Sequence, residues 1–166
     1  SLTVAPATLT ITGAATTQVY TAVAQNNTFS TAGLLGSDSV SAVSGSASAI
    51  QVGTVADQLS AATGTGLSNY NINYVNGSLT ITQAPLTITG ATTTNRVYTS
   101  TLQTNTYTTH GLLRSDAVTG VNGLATGTNV GTTNDQLSNA IGAGLSNYNI
   151  TYVNGSLTIT RAPLTI

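Results

Sequence analysis

Apolar and polar residues alternate with a period of two along most of this chain. In Leu9-Thr10-Ile11-Thr12 and again in Leu79-Thr80-Ile81-Thr82, aliphatic and hydroxyl side chains take turns, the pattern of a strand with one buried face. Clusters of Gly, Asn and Ser separate such runs and read as turns. The clearest expected element is a hairpin around Asn76-Gly77, because Asn-Gly suits a type I′ turn whose two central residues take positive φ. With a two-residue loop, Tyr74 would face Leu79 and Ile72 would face Ile81 on one side of the sheet. Asn73 with Thr80 and Asn71 with Thr82 would fall on the other. Around Asn154-Gly155 the same pairing sets Tyr152 against Leu157 and Ile150 against Ile159. Further strands are expected over residues 9–12, 19–23, 39–43 and 49–52, with apolar residues near Phe29, Leu34 and Leu35, and their equivalents over 86–130. Segments 56–62 and 134–140 have the composition of a short helical turn.

The pattern occurs twice, offset by 78 residues. Leu34-Leu35-Gly36-Ser37-Asp38 returns as Leu112-Leu113-Arg114-Ser115-Asp116, and residues 74–82 return letter for letter as 152–160. Duplication of a whole small domain serves length, avidity or stiffness, since an active site needs to be built only once. Many short strands per unit predict an all-β fold: two tandem immunoglobulin-like antiparallel β-sandwich repeats forming an elongated rod. Residues 5–83 form the first repeat and 84–161 the second. Ser1-Leu2-Thr3-Val4 matches the closing strand of a preceding repeat, and residues 162–166 match the opening strand of a following one. Between the repeats, Gln83-Ala84-Pro85 offers no flexible linker. Pro85 lacks an N–H and favours extended backbone before it, so it is expected to end one ladder and keep the joint stiff.

Composition narrows the function. Only 4% of the 166 residues are charged, with no Lys and no Glu, while 40% are hydrophobic and Thr, Ser and Asn make up more than a third. That hydrophobic content argues for packed structure rather than disorder. A net charge of −1 leaves no basic cluster for nucleic acid or anionic lipid. There is no Cys, which removes disulfides, thiolate zinc sites and thioester anchors and suits export across bacterial membranes. Without Lys, isopeptide cross-links are chemically impossible. No stretch reaches the roughly 18 apolar residues of a membrane span.

Candidate chemistry is sparse. His110 is the one histidine, and Ala32 stands at its place in the first copy, so a catalytic or metal role would belong to one repeat only. Asp38 and Asp57 recur as Asp116 and Asp135, which raises a weak calcium site. Calcium takes about 6–8 oxygens, however, and two carboxylates per unit fit turn-capping better. Gly64-Thr65-Gly66 and Gly142-Ala143-Gly144 lack the following Lys of a phosphate loop. The glycosylation sequons at Asn26, Asn76, Asn149 and Asn154 are expected from composition alone. Tyr20, Tyr70 and Tyr74, with their repeats Tyr98, Tyr148 and Tyr152, have the faces for sugar stacking, yet the alternation turns Tyr74 toward the core. Tyr107 is expected to be exposed. No catalytic, metal or cofactor-binding residue is assigned, and no enzyme activity is expected.

Ala84-Pro85-Leu86-Thr87-Ile88-Thr89-Gly90, Gly127-Thr128-Asn129-Val130-Gly131-Thr132 and the run 144–159 resemble the tandem MBG/YDG-type repeats of large bacterial surface adhesins and haemagglutinin-like exoproteins. The resemblance covers essentially the whole chain. Where the family commonly has a basic residue, a Tyr and then Asp-Gly, this chain has Gln18-Val19-Tyr20-Thr21-Ala22 and Arg96-Val97-Tyr98-Thr99-Ser100, so the turn after the Tyr must be made without its glycine. The resemblance implies an Ig-like β fold, an extracellular location at a bacterial surface or in the medium, and a stalk or scaffold role in adhesion or biofilm formation, without catalysis or cofactor. Expected partners are neighbouring repeats or identical subunits and an unidentified receptor. Alternatives are a filament subunit joined by terminal strand exchange and a glycan-binding module.

Overall fold

The computed structural model describes residues 1–166 and is all-β apart from two single 3-10 turns. It divides into two compact units, Ser1–Thr82 and Gln83–Ile166. The first unit holds β1 (Ala7–Gly13), β2 (Ala15–Val19), β3 (Gln25–Asn26), β4 (Phe29–Ala32), β5 (Ser39–Ser44), β6 (Ser48–Ala49), β7 (Gly53–Ala56), β8 (Ser60–Thr65), β9 (Tyr70–Val75) and β10 (Ser78–Thr82). The second repeats them as β11 (Ala84–Gly90), β12 (Thr92–Val97), β13 (Gln103–Thr104), β14 (Tyr107–His110), β15 (Ala117–Asn122), β16 (Thr126–Gly127), β17 (Gly131–Asn134), β18 (Ser138–Ala143), β19 (Tyr148–Val153) and β20 (Ser156–Thr160). The helical turns fall at Leu67–Asn69 and Leu145–Asn147, not at 56–62 and 134–140. Those segments span the end of one strand and the start of the next, where pairing overrides the helix propensity of their Ala and Leu residues.

The expected hairpin does not form. β9 and β10 do not pair with each other: β9 lies parallel to β1 in the sheet β4-β1-β9, and β10 lies parallel to β2 in the sheet β2-β10-β7. Neither Asn76 nor Gly77 has positive φ, so the dipeptide carries the chain from one sheet to the other instead of reversing it. The same holds for β19 and β20 at Asn154-Gly155. Each unit is therefore built on mixed sheets. Its opening strands β1 and β2 run side by side with its closing strands β9 and β10, and Tyr70 opposite Ala7 and Ser78 opposite Ala15 keep one continuous register through both sheets. In the second unit the register shifts between Thr93 and Arg96, because β12 is one residue longer than β2 and bulges to absorb it.

Inward and outward faces nevertheless follow the alternation. Leu79 and Ile81 are buried, and Ile72 and Tyr74 pack against the core of Leu9, Ile11, Leu59 and Tyr70. That core lies between the β1 sheet and the β5–β8 ribbon, which adds Val40, Val43 and Ala62. In the second unit Ala125, Leu157 and Ile159 make a separate cluster under the β13–β16 ribbon. Pro85 does not end a ladder. It sits second in β11, opposite Asn149, before β14 joins on the other side, so its missing N–H leaves no partner unmet.

The turns after β2 and β12 keep their shape without glycine. Ala22 and Ser100, where the family pattern has Gly, adopt φ of 59° and 61°. Residues 20–24 accordingly leave the strand that was expected to reach 23. Residues 1–6 and 161–166 form no strand, and Leu2, Val4, Leu164 and Ile166 are exposed.

Candidate functional site

Each unit has a waist where both long strand pairs change sheet, at Gly13-Ala14 and Asn76-Gly77. Asp57 is buried there, 1% exposed, and its two oxygens are fully engaged. Oδ1 accepts the Ala47 N–H at 2.7 Å, while Oδ2 accepts Asn27 Nδ2 at 2.8 Å and the Gly77 N–H at 3.0 Å. Asn27, itself buried, also donates to the Ala14 carbonyl at 2.7 Å and accepts the Thr16 hydroxyl at 2.7 Å. Gly13 has no room for a side chain, since a Cβ there would lie 2.0 Å from Asp57 Oδ2. The Asn76 side-chain oxygen Oδ1 accepts the Leu59 N–H at 2.8 Å. One carboxylate thus ties the β2–β3 region, the β6 loop and the β9–β10 crossing together. Asp135, Asn105, Thr93, Asn154 and Gly90 rebuild this network in the second unit.

Three further bonds from two tyrosines tie β9 to β8 and to the loop before β5. Tyr74 Oη accepts the Ala62 N–H at 2.8 Å. Tyr70 Oη accepts the Leu35 N–H at 2.9 Å and donates to Asp38 Oδ2 at 2.8 Å. Burial raises the pKa of the Tyr70 phenol; the Leu35 N–H works against this, and the Asp38 carboxylate adds to it. Tyr148 and Asp116 repeat the contact at 2.7 Å.

The candidate residues are therefore dispersed. Asp38 is bound to Tyr70 at the start of β9, and Asp57 to Gly77 beyond its end, roughly 20 Å away at about 3.3 Å per residue, so one cation cannot draw on both. His110 is exposed at the end of β14. Tyr20, Tyr70 and Tyr148 are buried and Tyr74 and Tyr152 half-buried, which hides those faces from sugar stacking, whereas Tyr98, the counterpart of Tyr20, is exposed. Tyr107 is half-buried rather than exposed, since its place in β14 turns it toward the sheet interface, as Phe29 is turned in β4. A cleft of about 470 Å³ opens beside Val4, Pro6, Leu35, Asp38, Asn69 and Tyr70, but it brings together no nucleophile, base and oxyanion donors. No helix is long and apolar enough to cross a membrane.

Sequence reasoning missed Asn27, Asn105, Thr16 and Thr93. The available signal was the recurrence of the Asn 30 residues before the recurring Asp in both copies; the Thr spacing differs by one residue between them. The chain enters a unit on β1 and leaves it on β10, and these lie in one parallel assembly bolted at its middle by Asp57. Tension between the two ends would slide the opening strands against the closing ones and strain all their hydrogen bonds together.

No curated protein and no solved structure matches the chain significantly. Residues 9–80 match the family model of the MBG domain (YGX type), a repeat module of surface proteins. The match lies within the first unit and is consistent with the MBG repeats of surface adhesins, and the second unit repeats the sequence and the hydrogen-bond network of the first.

Proposed function

We propose that this chain is a tension-bearing stalk segment of an extracellular bacterial adhesin, serving adhesion or biofilm formation. The observation that carries this reading is the parallel pairing of opening and closing strands in each unit, from Ala7 opposite Tyr70 to Val19 opposite Thr82. Parallel terminal strands pulled from opposite ends are loaded in shear, so many bonds of about 1 kcal/mol net each must fail together rather than one after another. The match of residues 9–80 to a family of surface-protein repeats, the lack of an assembled catalytic set, and export-compatible composition support the same role. Each unit already holds its own closing strand, β10 or β20, which favours a stalk over a filament built by strand exchange. Burial or half-burial of the candidate tyrosines other than Tyr98 favours it over a glycan-binding module.

Single-molecule pulling tests the reading. Stretching the chain from its two ends should give high unfolding forces. Pulling the first unit through cysteines at Thr8→Cys and Asn71→Cys, neighbours at one end of the β1–β9 ladder, should unzip it at a much lower force. Equal forces in both directions, or a low force from end to end, would remove the stalk mechanism.

A further inference from the structure

Three Asn-Gly dipeptides occur in the chain, at Asn76, Asn122 and Asn154, and all three asparagines are exposed. An Asn side chain followed by Gly is prone to cyclisation, because no Cβ hinders attack of the next backbone nitrogen on Cγ. Exposure does not separate the three sites, but hydrogen bonding does. At Asn76-Gly77 the attacking N–H is donated to Asp57 Oδ2 at 3.0 Å, and the Asn76 oxygen is held by the Leu59 N–H at 2.8 Å. At Asn154-Gly155 the corresponding bonds to Asp135 and from Leu137 are 3.0 and 2.8 Å. Both the nucleophile and the electrophile are therefore held away from each other. Asn122 ends β15, Gly123 follows with φ of 81°, and the hydrogen bond at Gly123 uses its carbonyl, which accepts the Gln136 N–H at 2.6 Å. Neither the Gly123 N–H nor the Asn122 amide is engaged.

We infer that Asn122 is a site of spontaneous deamidation and that the fold protects Asn76 and Asn154 from the same reaction. The Gly123 nitrogen, losing its proton to water or hydroxide, bonds to Asn122 Cγ. The Cγ–Nδ2 bond breaks, ammonia leaves, and a cyclic imide forms. Water then opens the imide at one of its two carbonyls, giving aspartate or isoaspartate, with no oxidation or reduction. Isoaspartate adds a methylene to the main chain where β15 pairs with Ser138 of β18, and a carboxylate to a nearly uncharged chain. The first unit has Ser44-Gly45 at this place and has no amide to lose, so the modification ages one unit and spares the other.

The test is peptide mapping by mass spectrometry after incubating the folded chain at mildly alkaline pH, with a parallel sample in urea. The peptide containing Asn122 should gain the mass of deamidation and resolve into aspartate and isoaspartate forms. In the folded chain it should convert roughly tenfold or more faster than those of Asn76 and Asn154, whose reaction requires local opening. In urea the three should convert at similar rates, and Asn122→Ser should abolish the folded-state signal. Conversion of all three alike in the folded chain, or none at Asn122 while the urea sample converts, would overturn the inference.

Discussion

The backbone N–H of Gly77 donates to the Asp57 carboxylate at 3.0 Å, and the backbone N–H of Asp57 donates back to the Gly77 carbonyl at 3.0 Å. This reciprocal pair, repeated between Gly155 and Asp135, clamps the crossing from β9 to β10 onto the loop before β8. Asp57→Ala would leave three buried or half-buried N–H donors without their acceptor, each costing about 1–3 kcal/mol. A loss of about 3 kcal/mol or more is expected for the first unit, read from urea unfolding against the unaltered second unit. A loss below about 1 kcal/mol would mean that water replaces the carboxylate.

Glycine substitutions should divide sharply by position. Gly13→Ala sets a methyl 2.0 Å from Asp57 Oδ2 and 2.7 Å from the Gly77 nitrogen, so the first unit is expected to lose its cooperative unfolding transition. Gly36→Ala meets nothing within 4 Å. There only its φ of 60° matters, at a cost of about 1–2 kcal/mol. Thermal melts of the two variants would separate them, and similar midpoints would refute the close approach at Gly13.

Ala22 and Ser100 hold left-handed backbone without being glycine. Replacing either with Gly removes steric strain of about 1–2 kcal/mol, offset in part by the greater freedom of the unfolded chain. Ala22→Gly and Ser100→Gly should each therefore raise stability by up to about 1 kcal/mol in denaturant titrations. A destabilised variant would show that the methyl or hydroxyl contributes packing that outweighs the strain.

Alkaline stability should depend on Tyr70. Its pKa is raised in the folded unit, chiefly by burial, so the folded state keeps the phenol proton after the unfolded chain releases its own near pH 10. The stabilisation from the neutral phenol is therefore complete below about pH 10 and declines as pH climbs through the raised folded value. Unfolding curves measured across that window should fall less steeply for Tyr70→Phe than for the native chain. Parallel curves would contradict the assignment.

Under end-to-end tension the second unit should yield first. Its β12–β20 pairing is interrupted between Thr93 and Arg96, whereas β2–β10 is unbroken. Deleting Thr94 from β12 should raise its unfolding force toward that of the first unit. Two equal force peaks in the native chain would show that the bulge carries no mechanical cost.

Much of the architecture can be read from side-chain order alone. The all-β class, the two units, the inward set Leu79, Ile81, Ile72 and Tyr74, and strands near residues 9–12 and 39–43 all follow from local alternation and from repetition, which need no knowledge of distant partners. Pairing is another matter. Asn76-Gly77 has the composition of a hairpin turn, and the same alternation of faces is satisfied whether β9 folds back on β10 or lies beside β1. The mechanical site was equally half-visible: Asp57 and Asp135 recur, but nothing local tells a buried bolt from a surface cap.

What the sequence by itself determined is that the chain is built of strands, where several of them lie, which face of those is apolar, and that the unit occurs twice, because period and propensity act over a few neighbours. Only the tertiary structure decided that opening and closing strands run parallel through two sheets and that Asn-Gly bridges those sheets. The physical reason lies with the buried Asp57 carboxylate. Its need for N–H donors is met by Asn27, Ala47 and Gly77, residues far apart in the chain, and the Ser78 N–H, which a two-residue hairpin would return to Val75, is donated instead to the Ala14 carbonyl at 2.9 Å.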